Sequence, residues 1–203
     1  MNILNLYAGV GGNRKHWEGD ITAVEWDEDI AETYSELYPE DKVICGDAHE
    51  YLLLNFHKFD FIWSSPPCQS HSKMIRSGRN RKPRYPDLRL YEEILLLKTD
   101  FKGKWVVENV VPYYSPLVAP SAKVGRHLFW CNFDFGLIQD PVPPENFINT
   151  TNLKGKAILQ EWLGIHYERN LYYGNNHCPA QVLRNCVHPD IGKQIMEFVI
   201  EST

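Results

Sequence analysis

Residues 2–12 of the chain read NILNLYAGVGG, an apolar run followed by a glycine-rich turn. An apolar run that ends at a glycine-rich turn is typical of a buried strand leading into a helix. The glycines allow the backbone to approach a ligand where any side chain would block it. Because a tight turn without a ligand gives the same pattern, the turn is informative only together with the segments that follow it.

The alternation of short apolar runs and helical patterns continues along the chain, which predicts an α/β fold with a mostly parallel sheet. We predict strands near Asn2–Tyr7, Ile21–Glu25, Lys42–Cys45, Phe59–Ser64, Lys104–Glu108 and Leu128–Cys131. The spacing of apolar residues predicts helices over Asp27–Tyr38, Leu88–Leu97, Lys156–Leu163 and Ile191–Ile200. Residues 139–151 are rich in proline and asparagine, which predicts a small insertion.

Composition and charge restrict the class of protein. A chain of 203 residues is long enough for one domain with its own core. Its 21 Lys and Arg against 26 Asp and Glu give a net charge of −5, which excludes a uniformly basic nucleic-acid or membrane coat. Five irregularly spaced cysteines without a Cys-x-x-Cys pair favour free thiols and no metal. Without a leader or a run of membrane-spanning length, we expect a cytoplasmic protein that binds no membrane.

Acidic residues follow the second and third predicted strands. In an open α/β sheet, ligands bind beyond the carboxyl ends of the strands. Glu25 stands where a carboxylate can accept both hydroxyls of a ribose, and Trp26 could stack on the attached base. Asp47 could accept a hydrogen bond from an exocyclic amine such as that of adenine. Each residue alone is more often a helix cap or a solvated carboxylate, but their serial placement favours an adenosine-type cofactor.

A thiol, an acid and a cation follow the next strands. The fourth strand runs into Ser64-Ser65-Pro66-Pro67-Cys68-Gln69, a rigid corner that holds Cys68 at the same edge of the sheet. A lone cysteine is usually a small buried hydrophobe, but the prolines and polar residues around this one indicate a loop. Glu108 closes the fifth strand and Arg126 precedes the sixth. We expect these three side chains to converge on one face.

In this order the motifs resemble those of the DNA cytosine-C5 methyltransferase family. The resemblance covers Leu4 to about Phe133 and resumes from about Ala180 to Ile195. It rests on Leu6–Gly12, Glu25-Trp26, Gly46-Asp47, Pro66-Pro67-Cys68-Gln69 and Glu108-Asn109-Val110. Related amino-methyltransferases carry Tyr or Phe where Cys68 stands, so the cysteine indicates methylation of carbon.

The resemblance implies a Rossmann-like S-adenosylmethionine-dependent methyltransferase fold with a mixed, mostly parallel sheet. It implies a catalytic core in residues 1–135, a reduced target-recognition insertion in 136–180 and a C-terminal helix returning to the core in 181–203. It also implies S-adenosyl-L-methionine as cofactor. The residues expected to bind this cofactor are Tyr7, Ala8, Gly9, Gly11, Gly12, Glu25, Trp26, Asp47, Pro67, Asn185 and Val187.

The implied reaction agrees with the chemistry of these residue types. Cytosine C5 accepts a methyl group only after a nucleophile adds to C6, and a thiolate, here Cys68, suits that addition. Glu108, protonated or sharing a proton with the ring N3, would limit charge on the base, and Arg126 would hold O2. The base must leave the helix stack to reach such a pocket.

A basic segment follows the proposed nucleophile. Residues 73–89 hold seven basic residues and one acid, a net charge of +6, which leaves −11 on the rest of the chain. A charge run is usually a solvated face, but beside a catalytic loop this one resembles a mobile segment that closes over phosphates. We therefore expect the protein to bind double-stranded DNA. Separately, we expect a monomer. The residues expected to contact DNA are Gln69, Ser72, Lys73, Arg76, Arg79, Arg81, Lys82, Arg84 and Arg184.

Three departures from the family pattern leave alternatives open. The interval from Asn132 to Gln181, where relatives carry a target-recognition domain, is only 50 residues. The Gln-and-double-Arg motif is reduced to Lys123-Val124-Gly125-Arg126, and Arg184 occupies the glycine position of Gly-Asn-x-Val. A tRNA cytosine-C5 methyltransferase, or a catalytically weak DNA-binding protein that retains the cofactor fold, is therefore also compatible with the sequence.

Overall fold

Seven strands of the described residues form one sheet in a computed structural model of the chain, which describes residues 1–76, 84–145, 147, 153–174 and 178–202. The strands are β1 (Asn2–Leu6), β2 (Asp20–Glu25), β3 (Lys42–Cys45), β4 (Phe61–Ser64), β5 (Lys104–Val110), β6 (Ala122–Val124) and β7 (His127–Cys131). Their order in the sheet is β3-β2-β1-β4-β5-β7-β6.

The sheet is mixed and mostly parallel, as predicted. Strands β3, β2, β1, β4 and β5 pair in parallel, whereas β7 runs antiparallel to both β5 and β6. All six predicted strands are present, although β4 begins at Phe61 and β5 continues to Val110. The prediction missed β6, because a three-residue strand is too short for an alternating pattern to stand out.

Six helices of the described residues connect or flank the strands. They are α1 (Glu28–Leu37), α2 (Ala48–Asn55), α3 (Arg89–Thr99), α4 (Leu153–Leu163), α5 (Gln181–Asn185) and α6 (Pro189–Glu201), with short 3-10 turns at Phe56–Lys58 and Lys73–Arg76. Asp27 caps α1 by accepting a hydrogen bond from the Ile30 amide. The four predicted helices are confirmed with shifted ends, and the short helices α2 and α5 were missed.

Two apolar layers cover the sheet because successive strand residues point to opposite faces. Leu4 and Ile62 pack with Ile94 and Leu97 of α3 on one face. Ile3, Phe61 and Val106 pack with Ile191 and Ile195 of α6 on the other. A third cluster joins α4 and α5 to Val10 of the glycine turn and Ile30 of α1.

The parallel pairing brings the carboxyl ends of β1, β2, β4 and β5 to one edge of the sheet. The glycine turn, Glu25, the loop that carries Cys68, and Glu108 follow or close these strands, so they meet at that edge. Across the described ranges, no helix has both the length and the apolar character that a membrane crossing requires.

Candidate active site

A cavity of about 380 Å³ opens at this edge of the sheet. Segments from both ends of the chain contribute to its wall. Of the residues expected at the site, the cavity is lined by Tyr7, Ala8, Gly9, Gly12, Glu25, Trp26, Pro67, Cys68, Gln69, Glu108, Arg126, Arg184, Asn185 and Val187. The structure therefore brings the three expected catalytic side chains together with most of the expected cofactor-binding ones.

The side chain of Glu25 binds the backbone of the glycine turn. The chain leaves β1 at Tyr7 and Gly9, whose φ angles of 56° and 55° lie in the left-handed region. One carboxylate oxygen of the buried Glu25 accepts the Gly9 amide at 2.9 Å, and the other accepts the amides of Trp26 and Asp27 at 3.0 and 3.2 Å. Burial raises the pKa of Glu25, which those backbone donors oppose.

Two expected cofactor residues do not line the cavity. A Cβ on Gly11 would lie 2.3 Å from the ring of Tyr38, so this glycine permits packing against the aromatic side chains of α1. Asp47 is the N-cap of α2, and its carboxylate accepts the His49 amide at 2.8 Å. Capping uses Oδ1 of Asp47, and the expected contact with adenine stays a prediction.

Gly12 lies against the segment after α5. A Cβ at this position would come within 2.6 Å of the Val187 carbonyl oxygen and 2.7 Å of Cys186 Cβ. The close approach brings the amino-terminal turn and the carboxyl-terminal part of the chain into one wall of the cavity. This explains why Asn185 and Val187, distant in sequence, lie beside the glycine turn.

Cys68 lies in a loop that is tied to β5. The side-chain amide of Asn109 donates to the Pro66 carbonyl at 2.9 Å, and the amides of His71 and Ser72 both donate to the Cys68 carbonyl at 3.0 Å. Burial raises the pKa of the Cys68 thiol to about 11, and the nearby Glu108 adds to this effect. The charge of Arg126 acts in the opposite direction. The free protein therefore holds Cys68 as a neutral thiol at neutral pH.

Glu108 is buried at the end of β5, and burial raises its pKa to about 7. A hydrogen bond with the Ser65 side chain and the charge of Arg126 limit the rise. Oε1 of Glu108 lies 3.7 Å from Nε2 of His127, which also lines the cavity. Burial, with Arg126 adding to it, lowers the pKa of His127 to about 3, so this imidazole is neutral beside the acid.

Arg126 is fixed from two sides. Its guanidinium donates to the backbone carbonyl of Arg184 and lies over the ring of Phe147, 4.8 Å from the ring centre. Burial lowers the pKa of Arg126, while Glu108 and Cys68 raise it. The cation is therefore held next to both of the groups that are expected to react.

Arg184 belongs to the cavity wall and is mostly buried. Its Nη2 donates to Gln181 Oε1 at 2.8 Å and contacts Cys178 Sγ at 3.0 Å. The sequence suggested a contact between Arg184 and DNA phosphate. The observed contacts hold the guanidinium against α5 and the residue Cys178 before it, and the contact with phosphate stays a prediction.

The cavity also contains residues that sequence reasoning missed, namely Tyr173 and Gly174 as well as His127. The hydroxyl of Tyr173 would be 3.5 Å from a Cβ on Gly9, so this side chain lies over the glycine turn. No sequence signal pointed to Tyr173, because its position depends on how the segment after α4 packs against the turn.

The expected nucleic-acid contacts are described only in part. Lys73 and Arg84 are exposed, and the Ser72 hydroxyl accepts the Met74 amide at 3.3 Å. Neither Ser72 nor the two basic residues line the cavity. Arg79, Arg81 and Lys82 lie outside the described residues, as does the side chain of Arg76. Within the described ranges, no three His, Cys, Asp or Glu side chains are grouped to hold a metal ion.

Comparisons with known proteins identify the family and the fold. A family model described as C-5 cytosine-specific DNA methylase matches residues 1–112. The Dnmt2 methyltransferase of S. pombe is similar in fold, with 11% identity, a TM-score of 0.61 and coverage of 99% of this chain and 98% of that chain. A Spodoptera frugiperda DNMT2 mutant gives 13% identity, a TM-score of 0.59 and coverage of 98% and 99%.

No curated protein sequence matches the chain. The structural likeness confirms the expected methyltransferase fold, and the family model matches more than half of the residues, including the glycine turn, Cys68 and Glu108. The chain therefore belongs to the C-5 cytosine-specific DNA methylase family, methyltransferases that use S-adenosylmethionine.

Proposed function

We propose that the protein methylates C5 of a flipped-out cytosine in double-stranded DNA through a covalent bond between Cys68 and C6 of the base. The observation that carries the proposal is that Cys68, Glu108 and Arg126 line the same cavity as the glycine turn. A nucleophile, a proton donor and a fixed cation are the groups that this reaction requires around a pyrimidine ring.

The glycine-turn side of the cavity suits S-adenosylmethionine, which supplies a methyl group on a sulfonium centre. Gly9 and Gly12 leave the backbone bare where a nucleoside would approach, and Gly12 has no room for a side chain. Glu25 accepts three backbone amides, which leaves Oε2 able to accept one further hydrogen bond from a ribose hydroxyl. Trp26 is 58% exposed while lining the cavity, so its ring is available to stack on adenine.

The side chains of Cys68, Glu108 and Arg126 would activate the base. Cys68 loses its proton and its sulfur bonds to C6, which moves electron density through the ring to C5. Glu108 donates a hydrogen bond or proton at N3, and Arg126 stabilises negative charge at O2. C5 then takes the methyl group, which leaves S-adenosylhomocysteine. Water removes the C5 proton, and the electron pair of that C–H bond expels Cys68 from C6 as a thiolate and releases 5-methylcytosine.

His127 matters because it is neutral. A second cation 3.7 Å from Glu108 would hold the carboxyl ionised, whereas a neutral imidazole leaves the pKa of Glu108 at about 7. Glu108 can then carry a proton at neutral pH and interact with an unprotonated ring nitrogen. The pKa of Glu108 is therefore set by burial, the Ser65 hydrogen bond and Arg126, and His127 adds no charge beside it.

The test is to trap the intermediate on a DNA duplex containing 5-fluorocytosine in the presence of S-adenosylmethionine. We expect a covalent complex through Cys68, because fluorine cannot leave C5 as a proton does. Cys68→Ala should give none. Cys131→Ser is the matched control, since that thiol lies on β7 outside the cavity. An equal yield from wild type and Cys68→Ala would refute the proposed mechanism.

Assays of methyl transfer and of ligand binding, with duplex DNA and with tRNA, distinguish the competing functions. Methyl transfer to a tRNA with none to duplex DNA would replace the proposal by the RNA enzyme that the sequence also allows. Binding of S-adenosylhomocysteine and DNA without turnover on either nucleic acid would favour a catalytically weak binding protein.

A further inference from the structure

Glu93 is a buried carboxylate that lies behind the cavity rather than in its wall. It is 0% exposed, in the middle of α3, among the apolar side chains Leu90, Ile94 and Leu97. A carboxylate at such a position is unfavourable unless its oxygens receive hydrogen bonds.

Three side chains from three different segments bind Glu93. The Tyr7 hydroxyl donates to Oε1 at 2.5 Å, and Nδ1 of His49 lies 2.9 Å from the same oxygen. The Ser64 hydroxyl donates to Oε2 at 2.5 Å. The hydrogen bond to Glu93 raises the pKa of His49. Both carboxylate oxygens are thus occupied by groups from β4, α2 and the residue after β1.

Two of these partners lie at the starts of the glycine turn and of the loop that carries Cys68. Tyr7 is the first residue after β1, takes a left-handed φ of 56° and directly precedes Ala8 and Gly9 of the cavity wall. Ser64 is the last residue of β4 and precedes Ser65, whose side chain bonds to Glu108. Glu93 therefore joins the start of the glycine turn to the start of the Cys68 loop.

We propose that Glu93 is a positioning residue that couples the cofactor turn to the nucleophile loop through the hydroxyls of Tyr7 and Ser64. The inference rests on the proposed function, since it takes the glycine turn to hold the cofactor and Cys68 to attack the base. A shift of either hydroxyl moves a carboxylate that the other one also binds. Cofactor binding and covalent addition are then linked through a residue that touches neither ligand.

The experiment removes each hydroxyl and measures the function of the other part of the site. The variants are Tyr7→Phe, Ser64→Ala and the double variant. Ser64 does not line the cavity, yet Ser64→Ala should weaken binding of S-adenosylhomocysteine by about three- to tenfold. Tyr7→Phe should slow trapping of the 5-fluorocytosine duplex by a similar factor at saturating S-adenosylmethionine. Because both hydroxyls act through Glu93, the double variant should lose less than the product of the single effects.

A control and a rescue distinguish positioning from general destabilisation. Ser121→Ala removes a hydroxyl that joins its segment to Cys131 outside the cavity, and it should change neither measurement. Glu93→Gln should weaken S-adenosylhomocysteine binding and slow trapping, and Glu93→Asp should show a smaller loss of both. If neither Glu93 variant folds, the Tyr7 and Ser64 variants alone decide the test. Independent effects, with Ser64→Ala changing only trapping and Tyr7→Phe only cofactor binding, would overturn the inference. A wild-type protein that traps no duplex would overturn the proposed function together with it.

Discussion

Replacing Glu108 by glutamine should change how the stability of the protein depends on pH, with no substrate present. Burial raises the pKa of this carboxyl from 4.5 to about 7, so the folded state binds the proton more tightly than the unfolded chain. Protonation therefore favours folding. The stability that this group contributes is complete below about pH 4.5 and is lost as the pH rises through about 7.

The expected magnitude follows from the two pKa values. With a pKa of 4.5 in the unfolded chain and about 7 in the folded one, the free energy of unfolding loses roughly 2.5 kcal/mol between about pH 5 and about pH 9. Glu108→Gln keeps the size and hydrogen-bonding capacity of the side chain but cannot ionise. The variant should therefore lack this part of the pH dependence and gain stability relative to wild type as the pH rises.

The assay is urea unfolding of both proteins at several pH values, followed by the fluorescence of the six tryptophans. Subtracting the two curves removes the contributions of the other titrating groups. His127 is neutral in the folded state throughout this range and titrates only in the unfolded chain, so its contribution is the same in both proteins and cancels on subtraction. A difference between the two proteins that stays constant with pH, within about 0.5 kcal/mol, would refute the assignment of a raised pKa to Glu108.

Three further predictions concern the reaction and its ligands. Gly12→Ala should weaken binding of S-adenosylhomocysteine by at least about tenfold in calorimetry, because its Cβ would overlap backbone; Gly46→Ala, with open space around it, should not. The methyl-transfer rate should rise with pH up to about 7, as the ionised fraction of Cys68 increases, and then level off. Above about pH 7 the loss of the proton from Glu108 offsets the further increase in Cys68 thiolate, so Glu108→Gln should show no levelling there. If Lys73 and Arg84 contact phosphates, replacing both by alanine should reduce the slope of log affinity against log salt by about 2, and an unchanged slope would remove them from the interface.

The order of the elements could be predicted from the sequence because each long element carries its own pattern. The apolar runs of β1, β4 and β5 and the amphipathic spacing of α1 and α6 are local signals. Helix α2 carries no such signal, since Leu53 and Leu54 are exposed while Leu52 is buried. Its start was visible only as Asp47, which the sequence also allowed as a ligand.

The site could be predicted to the extent that strand ends determine it. Glu25, Cys68 and Glu108 each close or follow a strand, so the sheet alone places them at one edge. The contacts of Tyr173 with the glycine turn and of Glu93 with Tyr7 could not be predicted, because tertiary packing brings these distant segments together. The hydrogen bond from Tyr7 to Glu93 spans 86 residues.

The same burial that builds the site opposes the ionisation that the reaction needs. With pKa values of about 11 for Cys68 and about 7 for Glu108, at about pH 8 only about one thiol in a thousand is ionised and about a tenth of the acid holds its proton. Arg126 favours the thiolate but also favours ionised Glu108, so the cation alone cannot produce the required pair. A bound base would change this balance, because attack by the sulfur moves negative charge to N3 and O2 of the ring. Glu108 would stabilise the charge at N3 and Arg126 the charge at O2. In the proposed mechanism the base therefore activates the thiol that attacks it, and the free protein holds Cys68 as a neutral thiol.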